Sequence, residues 1–415
     1  MSILRKSIRL SAAAALLVLL TFLHKLNTDD PSQARFRVSR HDEFFLDTSI
    51  SSSVGRNYSY HRVHKPLEAA ARALSTNFRH GVPKPSGSTY SRLMVVPRLE
   101  DDDVSWITKE LPGVDAAIYV ANDPKAPLHP PRNRGHEVMI YLTYIIDHYD
   151  ELPDIIIFMH AHRWTHHNIE LLGHDSAEMV RRLNNDYVIH EGYVNMRCQW
   201  YPGCPDWLHP HDARETLVKQ EQVVLTKSWQ ELFPSEPLPE ALGQACCAQF
   251  ALSKERVLSI PLSRFVFYRD WISRTPLSDY VSGRIWEYLW QLLFTGNSIH
   301  CPSEEICHCQ GFGICFGGNA GYNEYKELRQ RKATYEVELE DLDKRQSRGA
   351  SRGAEYGRRH NASSMKVINH NRQRYFSDRL EALEKEIRAR QTEAIEGAGG
   401  SGERYSELGS EREDF

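Results

Sequence analysis

Apolar positions along this chain fall into short runs separated by stretches with helical spacing. Four runs have the length and β-branched or aromatic content of buried strands; they are residues 93–97, 114–120, 155–159 and 193–196. Residues 134–149 and 176–183 carry apolar side chains three and four positions apart, which predicts helices. Strands that alternate with helices indicate an α/β fold with a mostly parallel sheet, and we place this domain at residues 92–320.

The chain begins with a basic segment followed by an apolar one. Arg5, Lys6 and Arg9 precede the apolar residues 10–23, which is the order of a secretory signal. No small-residue cleavage site follows this stretch. We therefore predict an uncleaved signal anchor over residues 1–26 and a single-pass protein of the endoplasmic reticulum or Golgi membrane. A cleaved signal peptide is the first alternative, and a cytosolic hydrophobic cap is the second.

Polar segments flank the predicted α/β domain on both sides. Residues 27–91 contain scattered Ser, Arg and His and predict a stem or flexible lead-in. Residues 321–415 form a charged tail, in which a Gly/Arg/Ser-rich linker at 346–359 separates two helical stretches. The last twenty residues are Gly, Ser and acidic residues, which predicts disorder. Within the domain, the apolar residues 284–294 predict a core helix.

Charge and cysteine content narrow the class of protein. The formal net charge of −4 over 415 residues gives no global positive field, so composition neither demands nor excludes RNA as a partner. All eight cysteines lie between Cys198 and Cys315, and an even, clustered count behind a secretory start predicts disulfides. A zinc site within residues 301–315 is the alternative, although paired C-x2-C spacing is missing there. In a lumenal protein, Asn57 and Asn361 would be glycosylated.

Four histidines follow the third predicted strand within eight positions. Ligands of open α/β sheets collect just beyond the carboxyl ends of such strands. His160 and His162 are two positions apart, so on an extended backbone their side chains leave the same face and can share one metal ion or anionic substrate. The alternative is that one histidine ends the strand and the others are solvated.

An acidic run follows the first predicted strand. Glu100, Asp101, Asp102 and Asp103 are consecutive and precede Trp106. Four adjacent carboxylates are either a solvated turn or a site for Mg²⁺ or Mn²⁺, because these cations prefer carboxylate oxygens.

A second polar constellation stands at the start of the first predicted helix. Asn133 can cap that helix, and the free backbone N–H groups can bind an anion. His136 or Glu137, three and four positions later, can supply a general base. Capping alone would explain Asn133, so the functional prediction here depends on His136 and Glu137.

Several long motifs resemble a widespread fungal domain family of unknown function. They are the Asp103-Val-Ser-Trp106 element, the Asn133-Arg-Gly-His-Glu137 element, residues 152–162 and residues 192–205. Residues 282–290 and the cysteines of 301–315 extend the resemblance, which covers residues 92–320. The family looks like the one that includes fungal synthases of arginine-containing cyclodipeptides. That resemblance implies their Rossmann-like, glycosyltransferase-A-like fold.

Those synthases use two adjacent aspartates with a glutamate three positions after the second. In this chain Asp102 and Asp103 are adjacent, but Trp106 stands at the third position. The resemblance implies a synthase that takes arginyl-tRNA and a second aminoacyl-tRNA and forms a cyclo-Arg-Xaa diketopiperazine. Carboxylates are the natural partners of the arginine guanidinium in such a site.

The alternative enzyme class is a membrane-anchored, metal-dependent glycosyltransferase that binds a nucleotide sugar with Mg²⁺ or Mn²⁺. A non-catalytic secretory-pathway protein is the third hypothesis. The resemblance places the synthase first, whereas the anchor, cysteines and sequons suit the transferase better. The residues assigned to these sites are Asp101, Asp102, Asp103, His136 and Glu137 as catalytic groups, Glu100, Trp106, Asn133 and Arg134 as substrate-binding groups, and His160 and His162 as metal ligands.

Overall fold

The computed structural model describes residues 78–212, 219–353 and 362–397. The predicted anchor, residues 27–77 of the predicted stem, and both sequons, Asn57 and Asn361, lie outside these ranges. None of the described helices is both long enough and apolar enough to cross a membrane.

A five-stranded sheet and a series of helices make up the described chain. The sheet contains β1 (Arg92–Arg98), β2 (Asp115–Val120), β3 (Ile155–Phe158), β4 (Tyr193–Asn195) and β6 (Phe250–Ser253), and β5 (Gly243–Gln244) pairs separately with β7 (Ile299–His300). The helices are α1 (Ser105–Glu110), α2 (Glu137–Asp147), α3 (Ser176–Arg182), α4 (Asn185–Glu191), α5 (Gln220–Leu232), α6 (Lys254–Leu258), α7 (Leu262–Arg274), α8 (Asp279–Glu287), α9 (Trp290–Thr295), α10 (Glu304–Ile306), α11 (Gly318–Gly353) and α12 (Ala362–Glu396). A 3-10 turn at Glu170–Leu172 and a π turn at Cys307–Gly311 complete the set.

The central sheet has the strand order β2-β1-β3-β6-β4. β1 pairs in parallel with β2 and β3, whereas β6 is antiparallel to β3 and β4. Four of the five strands therefore end at one edge of the sheet, which we call the carboxyl edge, and β6 begins there. This is the mixed α/β fold with a mostly parallel sheet that the hydrophobic pattern predicts.

Helices cover both faces of the sheet. Because strand side chains alternate, Val95 and Ile156 pack with α2, α7 and α9 on one face, and Met94 and Ile157 pack with α3 and α4 on the other. All four residues of β3 have 0% exposure. A continuous apolar run suits a strand that is buried on both faces, and the prediction of a central strand at this position is confirmed.

The apolar stretch 284–294 differs from its prediction in one respect. It forms the end of α8 and most of α9 instead of one helix. The N–H groups of Tyr288 and Leu289 bond to carbonyls three residues back, so the α-helical hydrogen-bonding pattern is interrupted between the two helices. Trp286 and Trp290 are both fully buried, and the assignment of this stretch to the core is correct.

The charged tail is helical, as predicted, but its helices are longer. α11 extends to Gly353, past the start of the predicted linker, and α12 begins at Ala362. The Arg, Gln and Ala residues of the linker have sufficient helix propensity to continue α11 despite the glycines. α11 and α12 contact each other through a hydrogen bond of 2.9 Å from Gln391 to Tyr325 Oη.

All eight cysteines form disulfides, which confirms that prediction and leaves no thiolate for the alternative zinc site. The pairs are Cys198–Cys307, Cys204–Cys301, Cys246–Cys247 and Cys309–Cys315. The first two join the segment after β4 to the segment after β7, across 109 and 97 residues. The loop closed by Cys204–Cys301 lies inside the loop closed by Cys198–Cys307, so both disulfides constrain the same stretch of chain.

We predict that these nested disulfides stabilise the fold non-additively. With one of them intact, the other closes a ring of about a dozen residues, so replacing Cys204 and Cys301 together by Ser costs about 3 kcal/mol. Replacing all four cysteines also opens the long loop and costs roughly 8 kcal/mol, which is comparable to the whole stability of a domain. Urea unfolding measures both values. If the loss on replacing all four cysteines equals the sum of the losses on replacing each pair alone, the nested arrangement is contradicted. Replacement of the Cys309–Cys315 pair is the control for a short loop.

Candidate active site

Polar segments from separate parts of the chain meet at the carboxyl edge. Trp106 donates from Nε1 to the carbonyl of Ala161 at 2.8 Å, which joins the segment after β1 to the loop after β3. Gln249, just before β6, accepts the N–H of His160 at 3.0 Å and that of Met196 at 2.9 Å. These bonds bring the segments after β1, β3 and β4 into one region, as the parallel topology predicts.

A buried amide network fixes the loop after β3. Gln249 donates from Nε2 to Asn168 Oδ1 at 3.0 Å. Asn168 in turn donates from Nδ2 to Ser176 Oγ and to the carbonyl of His174, both at 2.8 Å. Gln249 and Asn168 are almost fully buried. Because a satisfied buried network specifies one geometry, this loop is well suited to hold catalytic groups in place.

α2 begins at Glu137, directly after a turn with positive φ angles. Gly135 has φ 68° and His136 has φ 52°, and the second value is uncommon for a residue with a side chain. A Cβ on Gly283 of α8 would lie 2.8 Å from His136 Cδ2, so glycine at that position makes room for the imidazole. Such backbone conformations cluster at functional sites, and this one positions Glu137.

Glu137 and Glu287 are two partly buried acidic residues, here called the acidic pair because the charge of Glu287 acts on Glu137. Burial raises the pKa of Glu137 to about 7, and the negative charge of Glu287 contributes to this increase. Burial also raises the pKa of Glu287, although Arg284 and a hydrogen bond of 2.8 Å from the Cys247 N–H favour its charged form. A carboxyl group with a pKa near neutrality can take up and release a proton at physiological pH.

His160 and His167, in the loop after β3, are neutral near pH 7. Burial lowers the pKa of His160 to about 3 and that of His167 to about 4. Their Nδ1 atoms lie 3.0 Å apart, so the Nδ1–H of one ring donates a hydrogen bond to the Nδ1 lone pair of the other. The buried Nε2 of His160 has no hydrogen-bond partner among the described residues. His160 is also within electrostatic range of His136 and His162.

Arg197, after β4, brings a positive charge to the acidic pair. Its guanidinium donates to the carbonyl of Tyr201 at 2.9 Å and to that of His166. Burial lowers the pKa of Arg197, and the charge of Glu287 opposes that effect. Backbone carbonyls hold the guanidinium, and no described residue forms an ion pair with it, so its charge can act on an anionic group in the site.

An open cavity of about 380 Å³ lies at the ends of β1 and β3. It is lined by Asp103, Ser105, Trp106, Lys109, His162, Arg163 and Trp164. Trp164 is 66% exposed, and the Arg163 guanidinium lies 4.4 Å from its ring centroid. Arg163 is also paired with Asp175 at 2.9 Å and with Glu110 at 2.6 Å. The cavity brings Asp103 and His162 together and offers aromatic surface to a ligand.

The acidic run after β1 is a hydrogen-bonded turn. Asp102 accepts the N–H of Leu99 at 2.7 Å, and Asp103 accepts that of Ser105 at 2.8 Å. These bonds to the Ser105 backbone and hydroxyl lower the pKa of the Asp103 carboxyl. Of the four acidic residues, Asp103 alone lines the cavity. Glu100 and Asp101 are exposed.

The helix-capping role predicted for Asn133 is wrong. Asn133 is exposed and does not cap α2, because the helix begins at Glu137 with His136 at its N-cap and without a side-chain cap. Arg134 donates to the carbonyls of Thr275 and Leu277. It therefore attaches the turn to the segment before α8, which holds Gly135 and His136 in place.

The described residues do not form a metal cage around His160 and His162. Three or more potential ligands converge, within the described ranges, at His80, His190 and Glu191 and at Cys246, Cys247 and Glu287. Neither group contains His160 or His162. The sulfurs of the second group form a disulfide and are not thiolate ligands. A cation held by Asp103 and His162 would need further oxygen ligands from a substrate.

One family model, described as a protein of unknown function (DUF3431), matches residues 94–310. The chain belongs to the DUF3431 family. This match confirms the resemblance to a family of unknown function over nearly the predicted range. No curated protein and no solved structure matches the chain. The matched range contains the acidic pair, the cavity and the histidines of the loop after β3.

Several residues of this DUF3431 site were missed at the sequence level. Glu287 lies in an apolar run that was assigned to the core, and the signal was a single carboxylate between Trp286 and Tyr288. Arg197 and Gln249 had no local signal, because their roles depend on contacts between distant segments. The sequence shows that Cys246 and Cys247 are adjacent, but it does not predict that they lie beside Glu287.

We predict that Glu137 makes the stability of the DUF3431 domain depend on pH. Below about pH 4.5 the carboxyl is neutral in both the folded and the unfolded state. Between about 4.5 and 7 the unfolded chain loses the proton while the folded chain retains it, so folding becomes less favourable. Glu137→Gln stays neutral, so it raises the free energy of unfolding by roughly 3 kcal/mol at pH 8 and little at pH 4.

Urea unfolding at pH 4 and pH 8 measures this difference. The exposed Glu327 has no ion-pair partner among the described residues and provides the control, since Glu327→Gln should leave the pH dependence unchanged. If Glu137→Gln and the unmodified protein show parallel stability curves across this range, Glu137 does not have a raised pKa.

Proposed function

We propose that this DUF3431 protein is a glycosyltransferase of the secretory pathway with a glycosyltransferase-A-like fold. In this proposal it transfers a sugar from a nucleoside diphosphate to an acceptor hydroxyl. The observation that carries the proposal is the pKa of about 7 of Glu137 at the carboxyl edge of the sheet. A group with this pKa is suited to general base catalysis.

Glu137 is the proposed base. Its carboxylate takes the proton of the acceptor hydroxyl while the acceptor oxygen forms a bond to the anomeric carbon of the sugar. The bond from that carbon to the diphosphate breaks, and the nucleoside diphosphate leaves with the electron pair. Glu287 keeps the proton affinity of Glu137 high, and Arg197 favours the negative charge of the departing phosphate.

The cavity beside His162 is the proposed site of the nucleotide. Trp164 supplies exposed aromatic surface for a nucleobase, and Lys109 supplies a positive charge for phosphate oxygens. His160 is within electrostatic range of both His162, in the cavity wall, and His136, next to Glu137. A donor in the cavity could therefore extend its sugar toward Glu137.

A divalent cation such as Mg²⁺ or Mn²⁺ fits this proposal only with help from the substrate. Asp103 and His162 would hold it, and diphosphate oxygens would complete its coordination. When bound, such an ion would neutralise charge on the diphosphate.

The four disulfides support the proposed location. Stable disulfides persist in oxidising compartments, which include the lumen of the secretory pathway. Nucleotide-sugar chemistry suits such a compartment better than the use of cytosolic aminoacyl-tRNA. For this reason we place the transferase ahead of the synthase, although sequence resemblance alone gives the opposite order.

The arginine-containing cyclodipeptide synthase is the second candidate, and one observation favours it. Glu137 and Glu287 are two partly buried carboxyl groups, and the charge of Glu287 disfavours the charged form of Glu137. An arginine guanidinium bound between them would relieve that repulsion through charge-assisted hydrogen bonds. The substrates would then be arginyl-tRNA and a second aminoacyl-tRNA.

We predict that transfer activity requires Glu137. The full-length protein is incubated with a panel of nucleotide sugars, and released nucleoside diphosphate is measured with and without acceptor sugars. Glu137→Gln should lower kcat by about 10²- to 10⁴-fold with little change in KM for the donor. The kcat/KM of the unmodified enzyme should decrease as the pH is lowered below about 7, because Glu137 is then protonated.

Glu151→Gln is the control and should retain full activity. Two results would refute the transferase. One is release of nucleoside diphosphate that Glu137→Gln leaves unchanged. The other is formation of an arginine diketopiperazine in a fungal host, lost in Glu137→Gln and Glu287→Gln, without any nucleotide-sugar turnover. The second result would support the synthase instead.

A further inference from the structure

The first described residues cross the start of β4 and pack against α4. Gly81 donates its N–H to the carbonyl of His190 at 2.9 Å. A Cβ on Gly81 would lie 2.1 Å from the carbonyl oxygen of Ile189, so only glycine allows this close approach. The contact fixes the backbone next to His80.

Three potential metal ligands meet at this contact. His80, His190 and Glu191 each offer a ligand atom, and these atoms lie within 4.8 Å of one another. The two imidazole rings are stacked with their centroids 4.3 Å apart. We propose that this cluster, which we call the α4 cluster, is a binding site for Zn²⁺ or a similar first-row transition-metal ion.

A hydrogen bond at the α4 cluster orients His80 as a ligand. His80 Nδ1 lies 3.3 Å from the carbonyl oxygen of His190, and a carbonyl oxygen can only accept, so His80 carries its proton on Nδ1 and its Nε2 keeps a lone pair for a metal ion. His190 Nδ1 lies 2.9 Å from the Glu191 carboxylate, so these two atoms can bind one ion between them once it displaces the Nδ1 proton. A histidine whose other nitrogen donates to a carbonyl or carboxylate has the usual arrangement of a metal ligand.

The ligand types select the class of cation. Two imidazoles and one carboxylate suit Zn²⁺, which is bound by nitrogen, sulfur and oxygen ligands and takes a water in a remaining position. Mg²⁺ and Ca²⁺ prefer sites made of oxygen atoms alone. The α4 cluster is therefore expected to discriminate between these two classes of cation.

Arg256 is the nearest buried positive charge. Its guanidinium donates to the backbone carbonyls of Glu191 at 2.8 Å and Arg79 at 3.3 Å. It thus holds the backbone on both sides of the cluster and does not pair with the Glu191 carboxylate. Repulsion from Arg256 weakens cation binding, whereas the rigid backbone that it supports favours it.

The α4 cluster is separate from the candidate active site. Glu191 precedes β4, so the cluster lies at the amino end of that strand, whereas the acidic pair lies at the carboxyl edge. A bound ion would join the segment at His80 to α4, and it would stabilise the fold without taking part in the proposed reaction. The inference does not depend on the proposed function.

We predict that Zn²⁺ stabilises the full-length protein through the α4 cluster. Protein treated with a chelator is titrated with ZnCl₂, and Tm and trypsin cleavage after Arg79 are measured. Zn²⁺ should raise Tm by roughly 3 °C or more and slow that cleavage, whereas Mg²⁺ should do neither. His80→Ala and His190→Ala should each weaken Zn²⁺ binding by more than roughly 100-fold, since loss of a direct ligand exceeds the effect of an outer-shell change.

Each variant is compared with its own metal-free state, so a loss of intrinsic stability does not affect the result. His148→Ala is the matched control, because His148 also faces a carboxylate, that of Glu151 at 3.2 Å, but belongs to no cluster of three potential ligands among the described residues. The control should keep the full Zn²⁺ effect. If His80→Ala and His190→Ala keep it too, or if His162→Ala removes it, the ion does not bind at the α4 cluster and the proposal fails.

Discussion

Removal of the Glu137 carboxyl from water is the constraint on which the rest of the site depends. Its cost is roughly 3 kcal/mol when the group is charged. α2 can hold the carboxyl there because nine consecutive residues after it, from Val138 to Ile146, are buried. Each large apolar side chain among them contributes about 1.5–3 kcal/mol. The apolar burial of the helix therefore exceeds the cost of its first side chain.

The surrounding elements hold that carboxyl and its neighbours in place. Gly283 lets α8 approach the turn at His136, and the same helix brings Glu287 to Glu137. Gln249 connects the loops after β3 and β4. The nested disulfides close the long stretch of chain that contains α5 to α9. The site is thus assembled from packing and covalent links that extend well beyond its own residues.

The fold was largely predictable because its signals are local. The apolar run of β3, the helical spacing of α2 and the clustered cysteines each report on their own segment. The site was only partly predictable. Glu137 and the histidines after β3 stand at element ends, where α/β topology places ligands, but Glu287 and Arg197 act through contacts between distant segments. The extended spacing assumed for His160 and His162 does not apply, since β3 ends at Phe158.

The acidic run after β1 forms a hydrogen-bonded turn. Consecutive carboxylates look like a cation site in sequence, yet backbone N–H groups of the turn occupy Asp102 and Asp103. Burial, and not the number of acidic residues, distinguishes Glu137 from them. Whether a carboxylate is solvated depends on tertiary packing, which a sequence pattern does not specify.

Direct titration of the Glu137 carboxyl is the most direct measurement of the central claim. Carbon-13 NMR of glutamate-labelled protein follows each carboxyl as pH changes, and the signal lost in Glu137→Gln identifies the group. The account predicts a midpoint of about 7 for this signal. A midpoint near 4.5, the ordinary value for a solvated glutamate, would contradict it.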